Sequence, residues 1–292
     1  ASAVLHYAQE IFEGLKAYRL ADGTMALFRP YENARRFNAS ADRLAMPRLP
    51  EEAFVEAIRQ LVTADRDWFP TVEGGSLYLR PFMIATEAFL GVRPAKQYKF
   101  LVIASPAGNY FKSGAPAVSI WVSQDYTRAA PGGTGAAKCA GNYAASLLAQ
   151  QEAIAGGCDQ VVFLDAVEKR WVEELGGMNV YFVFDDGTMA TPPTSGSILE
   201  GITRDTIIRL AKEEKIEVHE GRCNREQLWL ADEVFLTGTA AEVTPVREID
   251  NRLIGPAGSE GIVGPVTKKL QARFFDIVRG SDNSHPEWLT KI

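Results

Sequence analysis

Gly132-Gly133-Thr134-Gly135-Ala136-Ala137-Lys138-Cys139-Ala140-Gly141-Asn142-Tyr143 is the stretch on which the reading of this chain turns. Its glycines allow backbone to approach a ligand closely. No Gly-Lys-Ser/Thr follows, so it is not a P-loop, and it lacks the GxGxxG dinucleotide pattern. What it has is one lysine, Lys138, between a glycine-rich loop and a helix predicted from Asn142 to Ala155, stopped by Gly156-Gly157. In a desolvated site a lysine loses its proton more readily, and the freed amine can form an imine with a cofactor aldehyde. By base rate a lysine is a surface residue, so the reading needs partners for Lys138.

Moving outward, Trp171-Val172-Glu173-Glu174-Leu175-Gly176-Gly177-Met178-Asn179 supplies a carboxylate at the end of an apolar strand. An aldehyde cofactor built on a pyridine ring works as an electron sink only if its ring nitrogen is held protonated, which calls for such a carboxylate. Glu200-Gly201-Ile202-Thr203-Arg204 opens a helix, where backbone N–H groups and the dipole suit a phosphate. An ordinary threonine N-cap is the alternative there. Thr237-Gly238-Thr239-Ala240-Ala241 follows a strand with small residues and hydroxyls, and Arg29 follows another strand and can complete the charge balance on a phosphate.

The rest of the chain mixes strands and helices without strict βαβ alternation, which predicts an α/β or α+β protein. Strands are expected at Met25–Phe28, Ser76–Arg80, Phe100–Ala104, Val118–Val122, Gln160–Leu164, Trp171–Glu174, Asn179–Phe184 and Glu233–Leu236. Along Leu77 to Arg80 the alternation puts Tyr78 and Arg80 on one face. Helices are expected from Pro30, over Glu51–Phe69, over Thr203–Lys215 and over Pro265–Val278, the last with a stripe of Val266, Leu270, Phe274, Ile277 and Val278. Gln124 to Gly135, with Pro131 and three glycines, reads as a linker. It divides a small N-terminal domain, 1–123, from a larger cofactor-binding domain, 136–292.

Bulk properties exclude several classes. The 292 residues are 46% hydrophobic and 23% charged, with a net charge of -6, whereas a nucleic-acid binder usually carries a basic excess. No apolar run approaches the roughly 20 residues that span a bilayer. Three scattered cysteines and three histidines suggest neither a disulfide framework nor a metal site. The reading is a metal-free cytoplasmic protein.

Seven segments in order resemble the branched-chain amino-acid aminotransferases, which are fold-type IV pyridoxal phosphate enzymes. They are Ile11–Tyr18, Leu27–Pro30, Leu77–Pro81, Gly132–Tyr143, Glu174–Asn179, Gly201–Arg204 and Thr237–Ala241. The resemblance runs from Leu5 to the C-terminus. It implies a two-domain fold and transfer of the amino group of L-leucine, L-isoleucine or L-valine to 2-oxoglutarate by a ping-pong course through the pyridoxamine form. Lys138 would bind the cofactor as an imine and then carry the proton between the substrate α-carbon and the cofactor's C4′. Tyr143 would bond the phenolic oxygen, and Glu174 the ring nitrogen. Arg29, Gly201, Ile202, Thr203, Gly238 and Thr239 would hold the phosphate. Thr239 and Ala240 would also face the substrate carboxylate, with Gly177 and Ala241 beside them. Tyr7, Phe12, Tyr78 and Tyr110 would line the side-chain pocket, with Arg80 at its polar edge. The rings suit leucine, and Arg80 with the hydroxyls of Tyr7 and Tyr78 suits glutamate. The resemblance also implies a homodimer, with residues near Leu90, Gly91 and Val92 reaching the neighbouring subunit.

Two departures stand out. Members of the family usually carry several dozen residues before the segment matching Leu5, so part of the small domain is expected to be missing here. Ala241 and Thr244 stand where some animal members have a CxxC pair, so that thiol control is not expected. Alternatives on the same fold are D-amino-acid transamination and aminodeoxychorismate lyase activity. An alternative of another class is a non-catalytic pyridoxal phosphate-binding protein.

Overall fold

Strand alternation and one non-local return build the first part of the molecule. A computed structural model describes residues 1–72, 74–108, 117–256 and 263–292. The chain forms two units: Ala1–Tyr110 with Ala137–Gly141 and Asp276–Ile292, and Phe111–Ala136 with Asn142–Phe275.

In the first unit, a short helix α1 (Ala3–Tyr7) precedes β1 (Glu10–Phe12), β2 (Leu15–Arg19), β3 (Met25–Phe28), α2 (Pro30–Arg43), α3 (Glu51–Ala64), β4 (Ser76–Ala85) and β5 (Tyr98–Ala107). β4 is the spine of an antiparallel sheet: β5 runs along one edge, and β2 and β1 share the other. Leu77, Leu79 and Met83 are buried while Tyr78, Arg80 and Phe82 between them are half-buried, so the expected alternation is present. The buried face packs on α2 and α3 through Phe37, Phe54 and Ile58, which are at most 1% exposed. Phe37, Phe54 and Phe100 meet with ring centres 5.2–5.9 Å apart. Each such side chain contributes roughly 1.5–3 kcal/mol by leaving water.

In the second unit, β6 (Val118–Ser123), α4 (Ala140–Ala155), β7 (Gln160–Leu164), β8 (Val172–Leu175), β9 (Asn179–Val183) and β10 (Met189–Thr191) are followed by α5 (Ile202–Glu213), β11 (Val218–Glu220), α6 (Arg225–Leu230), β12 (Glu233–Gly238), β13 (Glu242–Ile249) and β14 (Arg252–Leu253). Their mixed sheet runs β11-β10-β9-β12-β13-β6-β7-β8, with β14 beside β13. Its core joins Val118, Ile120, Val162, Leu175, Val180, Phe182, Val234 and Leu236. On the other face Tyr181 stacks on Phe235 at 4.9 Å, and its hydroxyl donates to the Arg204 carbonyl of α5 at 2.7 Å. The last helix, α7 (Pro265–Val278), buries Leu270, Phe274, Ile277 and Val278 as its stripe predicts. Among the described residues no helix is long and apolar enough to cross a membrane.

The division differs from the expected one in two places. The segment 124–135, expected as a linker, belongs to the second unit. Arg128 ties it there by donating to the Ser197 carbonyl at 2.9 Å, and Ala136 N–H donates to the Gly196 carbonyl. The C-terminal residues return to the first unit, where β15 (Leu289–Lys291) pairs with β3. Trp288, 6% exposed, sits edge-on to Phe28 at 6.1 Å and anchors that return.

Candidate active site

The second unit holds the carboxylate. All four residues of β8 are buried, and Glu174 is 2% exposed. Its Oε1 lies 2.6 Å from Arg128 Nη1 and accepts the Leu199 N–H at 2.8 Å, while Oε2 accepts from Asn179 Nδ2 at 3.3 Å. An ionised carboxylate is tolerated in a dry interior only when it is paired and hydrogen-bonded. Arg128, itself buried, supplies the counter-charge. Glu173 faces the other side of the strand and accepts from the Ser197 hydroxyl. Burial pushes its carboxyl up, and the Ser197 hydroxyl pulls it part of the way back.

Asn179 connects this cluster to α5. Its Nδ2 also donates to the Leu199 carbonyl at 3.1 Å, and its Oδ1 fills the space beside Gly201, where a Cβ would lie only 2.1 Å away. Gly201 is the N-cap of α5 and brings no side-chain cap, while Thr203 lies buried in the first turn. Thr203 is therefore not the N-cap, and the helix start keeps the N–H geometry and dipole that suit a phosphate. Tyr143 and Gly238 lie beside the turn between β8 and β9. A Cβ on Gly177 would meet the Tyr143 ring at 3.4 Å, and one on Gly238 would meet Met178 Cγ at 3.2 Å and the Gly177 carbonyl at 3.5 Å. Thr239, Ala240 and Ala241 form the turn between β12 and β13, closed by Thr244 Oγ1 donating to the Ala241 carbonyl at 2.7 Å. The second unit thus gathers Tyr143, Glu174, Gly177, Gly201, Thr203 and Gly238 into one neighbourhood.

The first unit holds the lysine. The Lys138 backbone is pinned to β1 and α2: its N–H donates to Ser40 Oγ at 2.9 Å, its carbonyl accepts the Phe12 N–H at 3.0 Å, and Cys139 bridges Ile11. Nζ lies 4.7 Å from the centre of the Phe12 ring, and Arg80 Cζ lies 4.6 Å from the same ring. Cations are drawn to the negative face of an aromatic ring. Arg80 Nη2 also donates to the Tyr78 hydroxyl at 2.8 Å. The Phe12–Gly14 corner is clamped by Glu13, which is fully buried and takes Arg36 through two 2.8 Å bonds and Asn33 Nδ2 at 2.7 Å. Gly14 leaves room for Tyr78, whose hydroxyl would lie 2.5 Å from a Cβ there.

Arg29 and Tyr7 belong to the first unit. Arg29, 8% exposed, caps α2 with φ 47°, a left-handed conformation uncommon for a residue with a side chain. Its N–H donates to the Trp288 carbonyl at 2.7 Å and its guanidinium lies 5.4 Å from the Trp288 ring. Tyr7 is exposed, its hydroxyl donating to the Leu90 carbonyl, and no hydrogen bond or ring contact joins it to Phe12, Tyr78 or Arg80 among the described residues. Tyr110 lies outside the described residues.

Sequence reasoning missed Arg128, Leu199 and Ser197, and gave Asn179 no role of its own within the Glu174–Asn179 segment. Arg128 carried one signal, a lone arginine just ahead of the glycine-rich loop. Leu199 acts through its backbone, which leaves no trace in residue type.

The chemistry of each unit suits a phosphorylated pyridine aldehyde. The second unit offers a dry, counter-charged carboxylate, a phenol and a helix start without a side-chain cap, and the first unit offers a lysine. Among the described residues, buried polar atoms lack partners in each unit: Arg128 Nε, Glu173 Oε2 and Thr237 Oγ1 in the second and Arg80 Nε in the first. Thr237 stands opposite Asn179 in the sheet register.

Comparison with known proteins places the chain. The profile of the amino-transferase class IV family matches residues 10–249. A probable branched-chain-amino-acid aminotransferase of Streptomyces coelicolor is 54% identical, over 99% of this chain and 82% of its own length. A crystal structure of the branched-chain amino acid aminotransferase of Escherichia coli superposes with a TM-score of 0.88 at 38% identity, covering 99% of this chain and 91% of that one. A crystal structure of the branched-chain amino acid aminotransferase of Thermobaculum terrenum, in its PLP form, superposes with a TM-score of 0.84 at 32% identity, covering 97% of this chain and 89% of that one. The expected α/β architecture is the one these solved relatives have, and the chain belongs to the class IV aminotransferases.

Proposed function

We propose that this chain is a branched-chain-amino-acid aminotransferase that moves the amino group of L-leucine, L-isoleucine or L-valine to 2-oxoglutarate. The observation that carries the reading is the Phe12 ring with Lys138 Nζ and Arg80 both upon it. It sets an amine, apolar walls and a cation for a second carboxylate around one ring. That combination answers the need to take leucine and glutamate in turn.

Pyridoxal phosphate, when bound, supplies an electron sink for negative charge at the substrate α-carbon. Lys138 would hold the cofactor through Nζ, and its free amine would carry the proton between the substrate α-carbon and C4′. Glu174 keeps a proton on the ring nitrogen, and Arg128 and the Leu199 N–H keep Glu174 in place. Tyr143 bonds the phenolic oxygen. The Ile202 N–H, Thr203, Thr239 and Arg29 hold the phosphate, with Gly201 and Gly238 allowing close backbone approach. Thr239 and Ala240 N–H groups meet the substrate α-carboxylate, beside Gly177 and Ala241. Phe12 and Tyr78 exclude water from the side chain, Tyr7 and Tyr110 being assigned to the pocket by family resemblance alone, and Arg80 neutralises a second carboxylate.

A homodimer is part of the proposal, supported by the exposure of Leu90 (72%) and Val92 (87%), apolar residues with no cover in the single chain. A cytoplasmic location is part of it too, supported by three buried and unpaired cysteines.

The test is a half-reaction. The holoenzyme mixed with L-leucine alone should pass to the pyridoxamine form, read by visible absorbance, and D-leucine should be inert. No change with L-leucine, together with no cofactor fixed at Lys138 by borohydride, would sink the proposal. Turnover of the D-enantiomer instead would favour D-amino-acid transamination on the same fold.

A further inference from the structure

A transaminase of this specificity must accept, in one place, an apolar side chain and one that ends in a carboxylate. Arg80 serves the second and burdens the first, because a partly dry guanidinium without an anion is unfavourable. In the substrate-free chain Arg80 is held by one hydrogen bond to the Tyr78 hydroxyl and by the Phe12 and Tyr78 rings at 4.6 and 5.3 Å. Its Nε is buried without a partner, and no ion pair engages it among the described residues.

A carboxylate stands on the same face. Along β1, Ile11 enters the core while Glu10 and Phe12 share the opposite face. Phe12 lies across from Phe82 and Glu10 across from Ile84, and Arg80, Phe82 and Ile84 share one face of β4. Glu10 therefore lies two residues further along the row whose next ring, Phe12, carries the guanidinium. Its side chain makes no hydrogen bond or ion pair among the described residues. Burial pushes its carboxyl up, and the Arg80 charge pulls it part of the way back. Two opposite charges thus face the same strip of sheet, neighbours that are not joined.

We propose that Glu10 is a specificity-determining residue: an internal carboxylate that takes Arg80 when the substrate side chain is apolar, and yields it when the substrate brings a carboxylate of its own. The arginine's long side chain and single hydrogen bond let it turn between the two, and a charge-assisted bond awaits it at either end. This inference rests on the reading of the site as one for branched-chain amino acids and glutamate.

The experiment compares wild type, Glu10→Gln, Arg80→Met and the double variant as holoenzymes. Single-turnover half-reactions with L-leucine and with L-glutamate give the ratio of apparent dissociation constants. Calorimetric binding of glutarate and of 4-methylpentanoate reads the same ratio without turnover. In Glu10→Gln the ratio should move about fivefold towards the dicarboxylate, the scale of a half-exposed ion pair. In the Arg80→Met background Glu10→Gln should move it by nothing measurable. A ratio that stays within about twofold of wild type in Glu10→Gln overturns the proposal. So does an equal shift in both backgrounds, which would make Glu10 a diffuse negative charge. Glu10→Ser provides the same readings if the glutamine variant folds poorly. A wild-type holoenzyme that reacts with neither amino acid overturns the parent reading, and this inference with it.

Discussion

The two groups of site residues are built on opposite plans. Around Glu174 the polar atoms are dry and held by backbone: Leu199 N–H, the Leu199 carbonyl and the Ser197 carbonyl each bond a side chain there. Around Arg80 the partners are rings and one phenol, half-buried on a strand face. Backbone partners fix one geometry, whereas a guanidinium over aromatic rings can slide and turn. The first plan suits a group that is the same in every turnover, and the second suits a side chain that changes between half-reactions.

The largest effect expected is at the proposed cofactor lysine. Lys138→Ala should slow the half-reaction with L-leucine roughly a thousandfold to ten-thousandfold, the usual weight of a positioned proton carrier. Stopped-flow absorbance measures it. A variant within tenfold of wild type would remove Lys138 from its role and the comparison with it.

Next comes the dry cluster. Arg128→Met leaves a buried carboxylate without its counter-charge and should cost about 3–5 kcal/mol of stability. Arg128→Met with Glu174→Gln should recover most of that, because neither charge is then stranded. Urea denaturation of the four proteins tests this. If the double variant is as unstable as Arg128→Met, the arginine packs rather than pairs.

The same substitution in each plan sharpens the contrast. Gly201→Ala sets a Cβ 2.1 Å from Asn179 Oδ1, an atom of a side chain already fastened at Glu174 and Leu199. It should cost about 1–3 kcal/mol and weaken cofactor binding. Gly14→Ala meets only the tip of Tyr78, 2.5 Å from the new Cβ. There the ring should shift, Arg80 should lose its bond, and affinity for glutamate should fall about fivefold while stability changes by less than about 1 kcal/mol. Denaturation and half-reaction titrations separate the two outcomes. Equal stability losses would mean that the strand face is as rigid as the dry cluster.

That contrast also explains what could be read from sequence. β4, α7 and the β8 carboxylate were legible because alternation, a helical stripe and a charge at the end of an apolar run are local signals. β13 was not: it lies mid-sheet yet holds Pro245, a residue that argues against a central strand. Nor was the return of β15 to β3, since pairing between distant segments leaves no periodicity behind. Within the candidate site, the sequence reading rests on side chains with intrinsic chemistry and passes over the atoms that position them. Leu199 contributes an N–H, and Arg128 is recognisable only once Glu174 is seen beside it.

The smallest effect is a matter of sign. Burial raises the carboxyls of both Glu173 and Glu10 above their ordinary value of 4.5. A raised carboxyl holds its proton more tightly folded than unfolded. It therefore lends stability at acid pH that is lost as pH rises from 4.5 through the folded value. Glu87 runs the other way: the Arg93 hydrogen bond lowers it to about 2, so its stabilisation is lost only below the window in which Glu173 and Glu10 act. Comparing each variant with wild type cancels such background. Glu173→Gln should flatten the fall of the urea midpoint above pH 4.5 more than Glu10→Gln does. The reason is structural: Glu173 is 9% exposed with a buried, unpartnered Oε2, whereas Glu10 is half-buried with Arg80 near it. If Glu10→Gln flattens the profile more, the strand face is the drier of the two places, and the adaptable plan would have to be moved to the carboxylate cluster.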